Sequence, residues 1–350
     1  MAASRSPPRS SPNNPALTKQ VHWLQNHWYR LTPLHTILYP VSLVFRAVVS
    51  LRRALYQNAS LPSERLLVPV VVIGNISVGG TGKTPLTLAL AQQLVEKGSF
   101  PVIVSRGYKG SARQPQQVFP DSKADAVGDE PLLMAIRNIC PVWVGKDRVA
   151  AARAAIHSYP RCDIVLCDDG LQHYRLQRDF EIAVVDGTLG YGNGLLLPAG
   201  PLREPPSRLL EMDAIVVNGG TAHEGKFAMQ LTGEVFHNLV EPEITATASE
   251  LQSDGIHAVA GIGNPQRFFS HLESLGIRFT PHAFPDHHAY HAGELSFGDC
   301  SAILLTEKDA VKCISFADAR YWVLRVEARI DPALSELILR KIKSHGSQTA

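Results

Sequence analysis

Apolar positions in this chain change their period twice. Near the N-terminus Leu17, Val21, Leu24 and Trp28 recur at spacings of four, three and four, and the series resumes after Pro33 with Leu34, Ile37, Leu38, Val41, Phe45 and Val48. That period predicts one apolar helix stripe, broken or kinked near the prolines. From residue 66 the text becomes LLVPVVVI, a continuous apolar run suited to a strand buried on both faces. A glycine-rich turn and a helix-like stretch at 85–97 follow it. Further apolar runs at 101–104, 164–167, 182–185 and 214–217 alternate with helical text, which predicts a parallel sheet with crossover helices. Ligands on such sheets gather at the carboxyl ends of the strands.

A second α/β unit begins near His257: the strand IHAVAGIG, the helix-like RFFSHLESLG and a later strand in AILLTEKDA. Between the two bodies, alternating text such as MQLTGEV predicts short linking strands. The expected divisions are a disordered head at 1–16, an amphipathic helical segment at 17–60, a phosphate-loop domain at 61–228, a β linker at 229–250 and a smaller α/β domain at 251–350. No solenoid-like repeat is present.

Length agrees with this division, since 350 residues at roughly 150 per domain favour two domains. With 45% hydrophobic and 19% charged residues, wholesale disorder, collagen-like and coiled-coil classes are excluded. Cys140, Cys162, Cys167, Cys300 and Cys313 are odd in number and include no CxxC pair, so neither a disulfide framework nor a zinc cage is expected. A reducing compartment fits best.

The net charge of +2 hides a polarity. No Asp or Glu precedes Glu64, whereas Arg5, Arg9, Lys19, Arg30, Arg46, Arg52 and Arg53 all do, leaving the remainder net acidic. The apolar stretch at 37–49 contains Pro40, Ser42 and Arg46 and falls short of the about 20 residues that span a bilayer. A helix lying in a membrane interface is therefore expected, with cationic side chains reaching anionic head groups. Packing on the protein's own body and an organelle transit peptide are the alternatives.

Residues 74–84, GNISVGGTGKT, sit between a buried strand and a helix, the setting a phosphate loop requires. Ser77, Val78, Gly79, Gly80, Thr81 and Gly82 supply the turn whose amides cradle the phosphates of a nucleoside triphosphate. Lys83 reaches the β and γ phosphates, and the Thr84 hydroxyl suits Mg²⁺. The strict GxxxxGK pattern wants glycine where Ser77 stands, a mild departure beside Gly79, Gly80 and Gly82. An apolar strand then ends in Asp168 and Asp169, within VLCDDGLQH, which puts carboxylates at the sheet edge where such enzymes hold their metal.

Three more segments, SRGY with Arg106 and Tyr108, GDEP with Asp129, and LPAGPLREP with Arg203 and Glu204, form a charged rim on the first body. In the second body FPDHHAY places His287 between Asp286 and His288, where proton handling is plausible. No nearby Cys or Glu completes a metal site there. TEKDA at 306–310 does not match the guanine-reading TKxD, because Lys308 and Asp309 are adjacent.

GNISVGGTGKTP, SRGYKG, GDEP, DDGLQH, LPAGPLREP, GIGNPQRFF, PDH and LTEKDAVK occur in the order found in tetraacyldisaccharide 4′-kinases, and on these motifs the chain resembles that family up to about Lys312. The resemblance implies two α/β/α lobes joined by a small β linker, with an N-terminal membrane-associating helix. It implies transfer of the ATP γ-phosphoryl group to the 4′-hydroxyl of a tetraacyldisaccharide 1-phosphate in lipid A synthesis, at the cytoplasmic face of the bacterial inner membrane. No nucleic-acid partner is expected. Asp129 and His287 resemble the catalytic pair, Arg203 a phosphate or transition-state contact, and Asp168, Asp169 and Glu204 with Thr84 the metal shell. Arg106 and Tyr108 resemble substrate-side groups. The other class considered is a membrane-associated regulatory ATPase of the MinD and ParA type, but that family's signature Lys is Val78 here.

Overall fold

The computed structural model describes residues 27–29, 32–220 and 224–346. The expected disordered head at 1–16, and Leu17, Val21 and Leu24 of the first stripe, lie outside the described residues. Helix α1, Leu34–Gln57, runs unbroken, with Pro33 at its N-cap and Pro40 inside it. The break expected near the prolines thus falls only before Leu34. Pro40 removes one N–H from the ladder, and 17 further residues of the same helix follow it. Ile37, Val41, Val44, Val48 and Leu51, spaced four, three, four and three, are all more than half exposed. The buried positions on this helix are instead His35 and Ser42.

The first body is built from β1 (Val70–Gly74), α2 (Lys83–Glu96), β2 (Pro101–Ser105), β3 (Gln116–Val118), α3 (Ala124–Val127), α4 (Asp129–Arg137), β4 (Val142–Val144), α5 (Arg148–Ser158), β5 (Ile164–Asp168), β6 (Phe180–Asp186), β7 (Ala214–Asn218) and β8 (Phe227–Thr232). Strands β1, β2 and β5 are buried at every position, as their continuous apolar text requires. Alternate residues feed two cores. Val71 and Ile73 pack with Leu86, Leu90 and Leu94 of α2 and Leu132 of α4; Val70 and Val72 pack with Ala151, Ala152 and Ala155 of α5. The result is an α/β/α sandwich around a mostly parallel sheet.

The second body contains β9 (Val235–Asn238), β10 (Thr245–Thr247), β11 (Ile256–Ala260), α6 (Pro265–Ser274), β12 (Thr280–Ala283), β13 (Ala302–Thr306), α7 (Glu307–Cys313) and β14 (Tyr321–Leu324). The chain then returns to the first body through β15 (Glu327–Ile330) and α8 (Ala333–Gly346). The first sheet is ordered β15-β8-β7-β6-β1-β5-β2-β4-β3 and the second β10-β9-β14-β13-β11-β12.

Two expected boundaries are corrected by this topology. Residues 327–346 belong to the first lobe, because β15 pairs antiparallel with β8 and α8 buries Leu334 and Ile338 completely in the first core. Each such side chain contributes roughly 1.5–3 kcal/mol. The segment at 229–250 is only half of a linker. The chain leaves along β8 and β9 and comes back along β14 and β15, an antiparallel ribbon shared by both sheets. At the crossing a β-carbon on Gly233 would stand 2.4 Å from the Arg325 carbonyl oxygen, an approach only glycine permits.

Candidate active site

β1 delivers the phosphate loop to the carboxyl edge of the sheet. Gly79 and Gly82 adopt φ of 117° and 94°, left-handed conformations that let the loop turn its amides inward. Gly82 caps α2, so Lys83 and Thr84 open that helix. The Asn218 side chain at the end of β7 donates to the Thr81 carbonyl at 2.9 Å. The LPAGPLREP segment straps the other side, with Val78 N–H donating to the Pro201 carbonyl at 2.8 Å and Arg203 N–H to the Ile76 carbonyl at 2.6 Å. Ser42 of α1 donates to the Leu196 carbonyl just before this segment and accepts from the Ala199 N–H within it. Helix α1, strap and phosphate loop are therefore one connected unit.

Asp168 and Asp169 end β5 beside this loop. Asp168 is fully buried, accepting from Thr87 Oγ1 at 3.1 Å and Ser105 Oγ at 3.4 Å. Burial, with Glu130 and Asp169 nearby, pushes its pKa up to about 7. Asp169 takes a left-handed φ of 48° and faces Lys83 Nζ at 3.5 Å and Arg203 Nη1 at 3.6 Å. Burial works against its charge, but Lys83, Arg203 and Arg148 hold the carboxyl below its usual range.

The metal expected here is tested by what these residues leave unmet. The Thr81 hydroxyl is buried without a hydrogen-bond partner, and the two crowded carboxylates are the oxygen donors a hard cation prefers. The chemistry of Asp168 and Asp169 fits Mg²⁺. Glu204, the remaining acid of the expected shell, is engaged with its neighbours. It is 1% exposed, accepts from Gln172 Nε2 at 2.7 Å and Tyr174 Oη at 2.8 Å, and pairs with Arg208. Among the described residues no group of three His, Cys, Asp or Glu side chains is gathered for a metal.

Across the cleft, Asp129 opens α4 immediately after Gly128, whose φ is 93° and whose added β-carbon would lie 2.8 Å from the Tyr108 carbonyl. Only glycine fits between the SRGYKG and GDEP turns. Asp129 Oδ2 lies 2.8 Å from His287 Nδ1 of the second lobe. Burial opposes the charge of Asp129, but the hydrogen bond from His287, with the charges of Lys312 and Lys308, carries its pKa below the ordinary value. His287 itself has a left-handed φ of 59° and lies 5.1 Å, ring to ring, from Tyr108. Lys109 donates to its carbonyl at 3.2 Å. His288 turns instead to Glu294 at 3.1 Å. Arg106 stands exposed beyond β2, where its charge acts on Arg148.

Sequence reasoning passed over several residues of this cleft. Lys308 joins Glu130, Asp286 and His287. Arg267 of α6 reaches Asp186 Oδ2 at 3.4 Å across the lobes. Arg148, 5% exposed, points its guanidinium at the Asp169 carbonyl, with Nη2 at 3.5 Å. LTEKDAVK and GIGNPQRFF contained the first two as motifs without roles; nothing local marked Arg148.

The profile of the family described as tetraacyldisaccharide-1-P 4′-kinase matches residues 34–343. The chain belongs to that family. A tetraacyldisaccharide 4′-kinase from Methylobacillus flagellatus is 48% identical over 320 residues, covering 91% of this chain and 96% of its own. Another from Alkalilimnicola ehrlichii is 51% identical over 307 residues, 85% of this chain and 90% of its own. Among solved structures, LpxK from Aquifex aeolicus in complex with ATP superposes with a TM-score of 0.75 at 28% identity, covering 88% of this chain and 99% of that one. The two-lobed α/β fold with its N-terminal helix is thus the fold of this kinase family, and the regulatory ATPase class is not favoured.

Proposed function

We propose that this chain transfers the γ-phosphoryl group of ATP to the 4′-hydroxyl of a tetraacyldisaccharide 1-phosphate, as the names of its relatives describe. The observation that bears most weight is the Asp129–His287 contact of 2.8 Å, which joins the lobes on the rim shared with the phosphate loop. Phosphoryl transfer asks chiefly for positioning and charge neutralisation. The loop amides and Lys83 hold the phosphates, and Arg203 neutralises charge that develops on the transferred group. Arriving phosphate oxygens displace Asp169 from Lys83 and Arg203, since one anion replaces another between the same cations. Thr84, Asp168 and Asp169 would hold Mg²⁺, which supplies charge neutralisation at the phosphates.

Asp129 accepts the proton of the acceptor hydroxyl. His287 donates its Nδ1–H to the second carboxylate oxygen, keeping Asp129 ionised and aimed. Arg106 and Tyr108 stand on the acceptor side. The lipid acceptor also gives a reason for α1, whose exposed apolar stripe is proposed to enter the interface of the cytoplasmic leaflet while Ser42 fastens the helix to the strap.

The test is transfer of labelled γ-phosphate from Mg·ATP to purified tetraacyldisaccharide 1-phosphate in mixed micelles, against a control without lipid. Label in the lipid is expected. Label found only as inorganic phosphate, at a rate indifferent to lipid, would return the chain to the regulatory ATPase class.

A further inference from the structure

Lys308 is the second residue of α7, and its side chain is 17% exposed in the cleft. Nζ lies 2.8 Å from Glu130 Oε1 in the first lobe, and 3.1 Å from Asp286 Oδ1 and 3.2 Å from His287 Nε2 in the second. An ammonium has three donors and no acceptor, so these three contacts use all it offers. His287 Nε2 can then only accept. A neutral imidazole that accepts at Nε2 carries its proton on Nδ1, the atom 2.8 Å from Asp129.

We propose that Lys308 is a positioning residue that locks His287 in the Nδ1–H tautomer, aims that N–H at Asp129, and does so only when the two lobes meet. The inference rests on Asp129 and His287 being the proton-handling pair.

Two further observations support it. Burial opposes the charge of Lys308, yet Glu130 and Asp286 hold its pKa above the usual lysine range, so the donor is present throughout neutral pH. Without Lys308, the nearest charged partner for Nε2 is Asp286 Oδ1 at 3.8 Å. A proton drawn to Nε2 by that carboxylate would turn a bare nitrogen lone pair toward Asp129, leaving a nearly buried carboxylate unmatched. Lys308 also reaches one carboxylate in each lobe, so this arrangement of the histidine and the closed cleft are set by the same side chain.

The test uses full-length enzyme with isotopically labelled histidine, the His287 resonances being assigned by their loss in His287→Ala. Lys308→Met removes the donor at similar volume, Lys308→Ser removes it while leaving room for water, and Lys308→Arg retains a donor. For Met and Ser we expect kcat to fall about 10²-fold, within what a positioned base contributes, with KM for ATP changed less than about twofold. The nitrogen spectrum of His287 should move from Nδ1–H toward the other tautomer in both, and Arg should preserve the wild-type spectrum and most of the turnover. An unaltered tautomer in the Met or Ser variant would overturn the inference even if turnover fell, since the loss would then be structural. Wild-type turnover in either variant would overturn it as well. Full turnover in His287→Ala would instead remove the underlying reading of the pair.

Discussion

A β-carbon built on Gly263 of the second lobe would lie 3.0 Å from the amide nitrogen of Gly80 in the phosphate loop. The GIGN turn and the nucleotide loop therefore meet almost backbone to backbone, although Gly263 is itself exposed. A larger side chain there must push the lobes apart, and displacement of catalytic groups by about 1 Å is worth about 10²-fold in rate. We expect Gly263→Val to lower kcat by about 10- to 10²-fold and to leave the thermal midpoint within a few degrees, since no core is disturbed. Steady-state kinetics beside a melting curve checks this. Wild-type turnover would show that phosphoryl transfer proceeds without this approach.

Asp129 and Lys83 should separate chemistry from binding. Asp129→Asn keeps the shape and a hydrogen-bonding side chain but removes the base, so turnover should fall about 10²- to 10⁴-fold while ATP affinity stays within about threefold. Lys83→Ala removes the ammonium from the phosphates and should weaken ATP itself. Calorimetric titration of ATP into both variants distinguishes them. Equal loss of ATP affinity in Asp129→Asn would remove it from the role of base.

His173 gives the fold a sensitivity to mild acid. Its pKa is lowered to about 4, first by burial and then by the charge of Arg148, against 6.5 for an unperturbed histidine. The folded protein thus binds fewer protons than the unfolded chain between pH 6.5 and 4. The stabilisation is complete above that window and is lost as pH falls through it. After a discount for the part-exposed ring, the loss by pH 5 is about 1 kcal/mol. His173→Gln should flatten the difference in unfolding free energy between pH 7 and pH 5 by about that amount. An identical pH slope in denaturant melts of variant and wild type would contradict the assignment.

The first sheet was legible because its strands are buried on both faces: VVVIG of β1 and IVLCD of β5 announce themselves as unbroken apolar runs. The phosphate loop was legible because its chemistry is local, a strand, a glycine turn and a helix start within a dozen residues. The return of β15 and α8 to the first lobe was not. Their partners, Met229 to Thr232 of β8 and the core around Leu86, are distant in sequence, and EARI reads the same in either sheet. The surroundings of Glu204 were hidden for a related reason. Its neighbour Arg203 faces Asp169, whereas Glu204 turns into the protein toward Gln172, Tyr174 and Arg208, a division that adjacent letters do not reveal. Lys308 required both lobes at once, since Glu130 lies 178 positions away.

Helix α1 offers a last test, because its exposed side is its apolar side. Ile37, Val41, Val44, Val48 and Leu51 make a single outward stripe, while the polar Ser42 is buried against the strap. Such an inversion is unfavourable in water and favourable at a lipid surface, where each fully buried aliphatic side chain contributes roughly 1.5–3 kcal/mol. Among the described residues α1 is also the helix long and apolar enough to cross a bilayer. The bonds of Ser42 with Leu196 and Ala199 and of Trp28 with Pro198 fasten this end of the helix along the body. Val44→Glu with Val48→Glu places two charges in the middle of the stripe without touching Ser42. We expect at least a 10-fold loss of co-sedimentation with anionic vesicles, the change that follows from losing about 1.4 kcal/mol or more. Turnover on acceptor dispersed in detergent should persist, because the cleft residues are untouched. Undiminished sedimentation would mean that another surface holds the enzyme to lipid.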